Sequence, residues 1–155
     1  MNIAFERAAP ADAEALVAAQ IAAFQYDSVL YPDVEIGGPP GYDSVEDMRR
    51  KMAEGQCYKM VNAGRIIGGI VVFDKGQGHI YVGRIYIDPA YHNRGIGTQA
   101  IQFLEQTYPA ATLWSLDTPV WAVRNQHFYE KLGYVKVGEE VLPDITLIQY
   151  QKRMG

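Results

Sequence analysis

The strongest constraint on the fold is a glycine-punctuated turn that joins an apolar segment to an amphipathic one. Residues 80–87 are rich in β-branched and aromatic side chains and are followed by Asp88-Pro89, as expected of a β-strand that ends there. After the turn, apolar residues recur at helical spacing, at Ile96, Ala100, Ile101, Leu104 and Tyr108. This pattern predicts a helix that begins near Gly95. A strand, a glycine turn and a helix in this order are typical of a phosphate cradle.

The turn itself, residues 92–98, has the residue types that an anion site needs. The first turn of a helix has backbone N–H groups without intrahelical partners and carries the positive end of the helix dipole. Gly95 and Gly97 have no Cβ, so a diphosphate can approach the backbone, and Arg94 adds a charge-assisted contact. A tight turn that binds nothing is the alternative interpretation of an isolated G-x-G.

Two other phosphate motifs fit less well. The P-loop spacing G-x-x-x-x-G-K-[ST] does not occur in the sequence. The dinucleotide fingerprint G-x-G-x-x-G/A is matched formally with Ala100 in its last place, but that motif belongs after the first strand of a Rossmann domain. Here several predicted strands and helices precede it, which argues against a dinucleotide site.

Composition limits the class of protein. The chain has 155 residues, of which 48% are hydrophobic and 21% charged, which predicts one globular domain over residues 1–155. A net charge of −4 argues against a nucleic-acid partner and mildly favours a cationic or neutral substrate. No apolar stretch is long enough for a membrane span and no signal-peptide core precedes the first strand, so we expect a soluble, cytoplasmic protein with no membrane partner.

Cysteine and histidine usage predicts no metal site. The single cysteine, Cys57, lies in an apolar run and is predicted to be a core residue, because a nucleophilic role would need a base that the sequence does not reveal. The three histidines, His79, His92 and His127, lack metal-ligand spacing, and there is no paired-cysteine motif.

The remaining pattern predicts an α+β protein with helices on both faces of its sheet. The predicted strands are residues 2–8, 57–61, 65–74, 79–87, 111–116, 134–141 and 145–149, and residues 57–87 form an antiparallel meander. Predicted helices run from Pro10 to Phe24, from a Ser44–Asp47 capping box to about residue 53, from Gly95 onward, and over 122–132. Residues 26–42 contain three prolines and three glycines and are predicted to be a long irregular loop, which either walls a substrate site or simply connects two elements.

Three features together resemble the GCN5-related N-acetyltransferase family. They are the strand at 80–87, the loop at 92–97 and the segment Asn-Gln-His-Phe-Tyr-Glu-Lys-Leu-Gly-Tyr at 125–134, and the order of elements around them also matches. The resemblance covers essentially the whole chain. It implies an α+β fold with a central mixed, mostly antiparallel and strongly twisted sheet of six to seven strands, with about four helices on its two faces.

The resemblance also implies a cofactor site. In the family, the loop pattern is Gln or Arg, two residues, Gly, one residue, then Gly or Ala, and its amides bind the diphosphate of acetyl-coenzyme A. Gly95 and Gly97 match this pattern, whereas His92 stands in the leading position and Arg94 supplies the positive charge. Backbone groups of the strand are expected to pair with the pantetheine arm. The residues implied to bind the cofactor are Ile85, Ile87, His92, Asn93, Arg94, Gly95, Ile96, Gly97, Thr98 and Asn125, although Asn125 is equally suited to capping a helix.

Tyr129 corresponds to the tyrosine that, in many family members, protonates the departing coenzyme A thiolate. A thiol has a pKa of about 8.5 and a phenol of about 10, so a phenol stabilises the developing charge by a hydrogen bond. The alternative for Tyr129 is simple packing beneath the last strands. The base that accepts the proton of the amine is left open between Asp117, His79, Tyr81 and water, with a turn role as the competing explanation of Asp117.

The sequence therefore predicts an acyltransferase that moves an acetyl group from acetyl-coenzyme A to a primary amine of a small molecule or peptide, by direct attack in a ternary complex and without a metal. The alternative is a regulatory module that binds coenzyme A but does not catalyse transfer. The acceptor, the acyl-chain preference, the roles of Trp114 and Trp121 and a possible homodimer through the last strands are left open.

Overall fold

A single mixed sheet organises the computed structural model, which describes residues 2–35 and 37–154. Its seven strands are β1 (Ala4–Arg7), β2 (Gln56–Asn62), β3 (Arg65–Gly76), β4 (His79–Ile87), β5 (Leu113–Pro119), β6 (Val135–Val141) and β7 (Thr146–Arg153). The α-helices of the described residues are α1 (Ala13–Gln25), α2 (Asp27–Leu30), α3 (Val45–Glu54), α4 (Ile96–Thr107) and α5 (Val123–Lys131), with short 3-10 turns at Pro10–Asp12 and Pro89–Tyr91.

The strand order is β1-β2-β3-β4-β5-β7-β6, and β4 and β5 are the one parallel pair of neighbours in this sheet of described residues. The other neighbouring pairs are antiparallel, and β2, β3 and β4 form the predicted meander. The predicted mixed, mostly antiparallel sheet is thus confirmed.

Two local predictions were wrong. Residues 26–42 are not wholly irregular, because Asp27–Leu30 forms the helical turn α2 and the Tyr31 amide donates to the Asp27 carbonyl at 2.8 Å. The first residue of this segment that lacks an amide hydrogen is Pro32, so nothing prevents a helical turn before it. Strand β5 begins later than predicted and continues to Pro119, so Asp117 pairs with Gln149 inside the strand and is not a turn residue. Ile36 lies outside the described residues.

Apolar side chains form a separate core on each face of the sheet. On one face, α4 and β5 contribute Ile96, Ile101, Leu104, Trp114 and Leu116, which places Trp114 in the core. On the other face, α1 and α3 pack against Tyr86, with Ala13, Leu16, Val17 and Met48 buried. Cys57 is buried as predicted, and this burial raises the pKa of its thiol to about 11, so it remains a protonated core residue at neutral pH.

A β-bulge at Gly83 separates β4 into two parts. Before it Val82 pairs with Val72, and after it Arg84 pairs with Val71, so Gly83 is the extra residue. A Cβ atom on Gly83 would lie 2.8 Å from Cε2 of Phe73, which explains why glycine occupies the bulge. The pairing of β4 with β5 ends at Val82 and Leu116, directly before the bulge. Beyond Gly83, β4 therefore has an edge that β5 does not cover.

The bulge also turns Arg84 toward the helices of the opposite face, where it joins a buried polar cluster. Its guanidinium donates to Asp47 Oδ2 and Gln20 Oε1, each at 3.3 Å, and to the Pro40 carbonyl at 2.8 Å. Gln20 in turn donates to the Tyr42 carbonyl at 2.6 Å. This cluster ties β4 to α1, α3 and the preceding loop.

The predicted capping box forms only in part, because of this cluster. Ser44 is the N-cap of α3 and its hydroxyl accepts from the Asp47 amide at 3.1 Å, as predicted. The Asp47 carboxylate does not complete the box but pairs with Arg84. A buried guanidinium needs a carboxylate partner more than an N-cap amide does, since an unpaired buried charge is far more costly than an unpaired amide.

We predict that Arg84→Ala lowers the free energy of unfolding by about 1 to 3 kcal/mol, because Gln20 Oε1 and the Pro40 carbonyl lose their donor and Asp47 keeps only its partners Arg50 and Lys51 on α3. Urea denaturation measures this change. The control is Arg49→Ala in the exposed part of α3, which should alter stability by less than about 0.5 kcal/mol. Equal stability of the two variants would contradict a stabilising role for the cluster.

Candidate active site

One cavity of about 520 Å³ contains the residues that the sequence predicts to bind the cofactor, together with Tyr129. It is lined by Tyr129 and by Ile85, Ile87, His92, Asn93, Arg94, Gly95, Ile96, Gly97, Thr98 and Asn125. The cavity lies where β4 has lost its pairing with β5, between the loop that precedes α4 and the helices α2 and α5. The local break in the sheet and the glycine loop thus belong to one site.

The phosphate loop, residues 92–98, ends in an open helix N-terminus. Asn93 and Gly95 have positive φ angles of 60° and 75°, and Gly95 is the N-cap of α4 without a side-chain capping bond. Gln99 donates to the Gly95 carbonyl at 3.1 Å, so the amides of the three preceding helical residues have no partner in the helix. These amides, at the positive end of the helix dipole, suit an anion such as a diphosphate.

The free edge of β4 offers backbone groups to an extended ligand. The Asp88 amide donates to the Ile67 carbonyl of the neighbouring strand segment at 2.7 Å. Because residues of an antiparallel pair alternate in the direction of their hydrogen bonds, the polar groups of Ile85 and Ile87 point away from β3. They face the side from which β5 has diverged, and this edge can pair with the amides of an added chain.

The His92 side chain connects the phosphate loop to the end of β4. Its Nε2 lies 3.0 Å from the Ile87 carbonyl, so this nitrogen carries the hydrogen and donates it. The ring also packs edge-on against Tyr26, with the centroids 5.5 Å apart. Arg94, by contrast, stacks over the exposed side of the loop, 5.6 Å from the centre of the Tyr91 ring. His92, which stands where the family pattern has Gln or Arg, therefore holds the phosphate loop in place. Arg94 is the cationic side chain of this loop.

Helix α5 closes the cavity opposite the phosphate loop. A Cβ atom on Gly97 would lie 2.9 Å from Cζ of Phe128, so the second glycine of the motif is required by the contact between the two helices. Asn125 is not a helix cap, because Ala122 occupies that position, and the capping alternative for Asn125 was wrong. Its side chain lies a long 3.5 Å from the Thr118 hydroxyl and borders the cavity.

Tyr129 both packs in the core and borders the cavity. It is 7% exposed, and its ring contacts those of Tyr134 and Tyr150 at centroid distances of 5.7 and 6.4 Å. Burial raises the pKa of the Tyr129 phenol well above its ordinary value, so the hydroxyl keeps its proton at neutral pH. Such a group acts as a hydrogen-bond donor and not as a base.

The three side chains considered as bases lie elsewhere. Tyr81 donates to Asp117 Oδ2 at 2.9 Å, and His79 Nε2 lies 2.6 Å from the Ser115 hydroxyl. These pairs bridge the part of β4 before the bulge to β5, and the cavity lining does not include them. Burial, with the charge of Asp117, raises the pKa of Tyr81 above its usual range. The two pairs therefore join strands, and the structure does not bring them to the site.

Sequence reasoning missed three charged residues that line the cavity, namely Asp27, Arg124 and Lys131. Arg124 donates from Nη2 to Asn93 Oδ1 at 3.0 Å, which connects α5 to the phosphate loop. Its position directly before Asn125 was the available signal. Asp27 lay in a segment predicted to be irregular, and no motif marks it. Burial raises the pKa of its carboxyl to about 6.

Two kinds of feature are absent from the part of the chain that the structure describes. Among residues 2–35 and 37–154, no three His, Cys, Asp or Glu side chains are grouped as metal ligands would be. In the same residues, no helix combines the length and the apolar character needed to cross a membrane.

Comparison with known proteins decides the family. The model of the acetyltransferase (GNAT) family matches residues 21–134, and the S-(2-succino)cysteine N-acetyltransferase of Bacillus subtilis (strain 168) is 32% identical over 117 residues, 67% of this chain and 69% of the relative. The chain belongs to the GNAT family.

Two further comparisons cover part of the chain or show the fold alone. The protein YrkN of the same Bacillus strain is 37% identical over 79 residues, and the match covers 50% of this chain but only 43% of that relative. The PaiA N-acetyltransferase of Thermoplasma acidophilum, solved with coenzyme A, has a TM-score of 0.77 at 14% identity and covers 99% of this chain and 100% of its own. The predicted GNAT fold, family and acyltransferase class are therefore confirmed, and the non-catalytic alternative is not favoured.

For the GNAT site we predict that Gly97→Ala destabilises the contact between α4 and α5 by about 1 to 3 kcal/mol, because the new methyl group collides with Phe128. Thermal unfolding detects the loss. Gly37→Ala is the control, since a Cβ there meets no described atom within 4 Å. Partial recovery of stability in Gly97→Ala/Phe128→Leu would identify the collision as the cause, and an unchanged melting temperature for Gly97→Ala would contradict it.

Proposed function

We propose that the protein transfers the acetyl group of acetyl-coenzyme A to a primary amine, by direct attack of the amine on the thioester. The observation that carries this proposal is the single cavity in which the free edge of β4, the open N-terminus of α4 and the Tyr129 phenol meet. Each of these three elements suits a different part of the same co-substrate.

The residues present fit acetyl-coenzyme A. We assign the diphosphate to the amides of Ile96, Gly97 and Thr98, with the side chain of Arg94 and the turn at Asn93 and Gly95 completing the loop. The pantetheine arm lies along Ile85 and Ile87, and Asn125 borders it from α5. His92 contributes by fixing the end of β4. The part of β4 beyond Val82, which β5 leaves unpaired, supports this assignment, because it can pair with the amides of an extended ligand.

In the proposed reaction the amine nitrogen forms a bond to the acetyl carbon, and the bond between that carbon and sulfur breaks. The leaving thiolate receives a hydrogen bond, and finally a proton, from the Tyr129 phenol, which solvent then reprotonates. A phenol with a raised pKa is a weak acid, so its main contribution is to stabilise the charge that develops on sulfur.

The acceptor is proposed to be an amine of a small molecule or peptide. A panel that contains S-(2-succino)cysteine, spermidine, neomycin and a peptide with a free amino terminus samples the main chemical types, and the first follows from the named activity of the relative. Release of coenzyme A thiol in the presence of the amine supports the proposal. Binding of acetyl-coenzyme A without acetylation of any amine would favour the regulatory alternative.

Four features of the proposal stay predictions. These are the assignment of residues 1–155 to one N-acetyltransferase domain, a cytoplasmic location, activity without a metal, and a homodimer. Dialysis against EDTA should leave the rate of acetylation unchanged if no metal takes part. Light scattering measures the oligomeric state, and cell fractionation the location.

We predict that Tyr129→Phe lowers kcat by about 100-fold while the affinity for acetyl-coenzyme A changes little, because the hydroxyl is needed only when charge develops on sulfur. Steady-state kinetics with the best amine of the panel measure both quantities. Tyr81→Phe is the matched control, since that hydroxyl lies outside the cavity, and it should retain wild-type turnover. Equal turnover of Tyr129→Phe and wild type would remove Tyr129 from the mechanism.

A further inference from the structure

A short segment, residues 26–31, crosses the cavity as a strap that is fixed at both ends. At one end the Tyr26 ring packs on His92 of the phosphate loop. At the other end the Tyr31 ring lies 5.3 Å from that of Trp121, and the Tyr31 hydroxyl accepts a hydrogen bond from the Arg124 amide at 3.0 Å. The turn of helix between these contacts is therefore held at a defined position over the site.

The strap presents one carboxylate to the cavity. Asp27 and Leu30 line it, whereas Val29 points outward and is 67% exposed. Asp27 is the sole acidic side chain among the described residues of the lining, and it forms no ion pair with any of them. Asp27 is half-buried, and partial burial of a carboxylate without a paired cation is unfavourable, so no ion pair explains its position.

The charges of the cavity are divided between two functions. Arg94, Arg124, Lys131 and the N-terminus of α4 are positive and suit the phosphates of the co-substrate. A carboxylate repels those phosphates, and it suits a ligand of the opposite sign. In the reaction proposed above, the ligand that arrives with a positive charge is the acceptor amine in its ammonium form.

We infer that Asp27 binds the ammonium group of the acceptor and removes its proton before attack. This inference rests on the proposed function and assigns a subsite to it. One proton passes from R–NH3⁺ to the Asp27 carboxylate and then to solvent, which leaves R–NH2 with a free electron pair. The nitrogen then forms its bond to the acetyl carbon as the bond to sulfur breaks, and its second proton is lost to solvent while Tyr129 supplies one to the sulfur.

The titration of Asp27 fits this role. Burial raises its pKa to about 6, so at neutral pH the group is ionised and is a stronger base than an ordinary aspartate. Its own segment adds the phenols of Tyr26 and Tyr31. The other titratable or charged groups that face it across the cavity are Tyr86, Tyr91, His92, Arg94, Arg124, Tyr129 and Lys131.

The expected pH dependence follows from these charges. Below about pH 6 Asp27 becomes protonated, so the wild-type kcat/KM should fall on the acid side with an apparent pKa close to that value. In Asp27→Asn the fall in kcat/KM with an apparent pKa near 6 should disappear. The remaining activity should instead rise with pH as free amine becomes available in solution.

The test compares Asp27→Asn with Asp27→Glu and with the control Asp33→Asn, which removes an exposed carboxylate outside the cavity lining. The substrate is whichever of S-(2-succino)cysteine, spermidine, neomycin or the peptide gives wild type its highest kcat/KM. We expect Asp27→Asn to lower kcat/KM by about 100-fold at pH 7, Asp27→Glu to recover part of it, and Asp33→Asn to match wild type. Acetyl-coenzyme A should bind all three variants as it binds wild type. Because partial burial disfavours the ionised form of Asp27, Asp27→Asn should melt no lower than wild type.

Each outcome decides a different claim. Wild-type protein that acetylates none of the four amines would overturn the proposed function, and the inference with it. An active wild type whose kcat/KM is unchanged by Asp27→Asn would overturn the inference alone. A loss in Asp27→Asn that is equal at every pH, or that comes with weaker binding of acetyl-coenzyme A, would indicate a structural role and would likewise overturn it.

Discussion

The loss of pairing between β4 and β5 at Gly83 is the constraint on which the rest of the site depends. Two parallel strands that stay together satisfy each other's backbone groups and leave no room for a ligand. The extra residue at Gly83 ends the ladder after Val82 and Leu116, and it frees the edge at Ile85 and Ile87. The same change of register sends Arg84 to the opposite face, where it holds α1, α3 and their connecting loop.

The other components of the site are arranged around this opening. His92 fixes the end of β4 to the phosphate loop, and Arg124 fixes that loop to α5 through Asn93. Gly97 allows Phe128 to approach α4, which brings Tyr129 to the cavity. The strap completes the enclosure from the other side with contacts to His92 and Trp121. Most of these contacts join elements distant in sequence, so the site depends on the complete fold.

The sequence was a good guide where short-range patterns decide the structure. The bounds of β4 were predicted to within one residue, and α4 begins at the glycine loop. The residues predicted to bind the cofactor and Tyr129 line the cavity, whereas the three side chains considered as bases do not. Those predictions used alternation, helical spacing and a family motif, all of which are local. The bulge at Gly83 was not predicted, although a glycine inside a strand often marks a bulge, because such a glycine is also compatible with an uninterrupted strand.

Features that depend on tertiary contacts were missed for the same reason. Asp47 completes the pattern of a capping box, but its carboxylate goes to Arg84, which is distant in sequence and buried beside it. Asp27 lies in a segment whose prolines and glycines suggested a loop, and its place in the cavity lining depends on how the strap crosses the cavity. Asp117, one of the side chains considered as the base, accepts a hydrogen bond from Tyr81 on a neighbouring strand and lies outside the cavity lining. Local sequence patterns do not show which polar side chains pair with residues distant in the sequence.

The central claim is that coenzyme A enters the opening between β4 and β5 and lies on the phosphate loop. An amide-resolved NMR titration of the protein with coenzyme A tests it most directly. The account predicts that the largest shifts occur at Ile85, Ile87, Ile96 and Gly97, with little change in β1 and β2. Shifts that spare these four amides, or saturating coenzyme A that moves no resonance, would contradict the account.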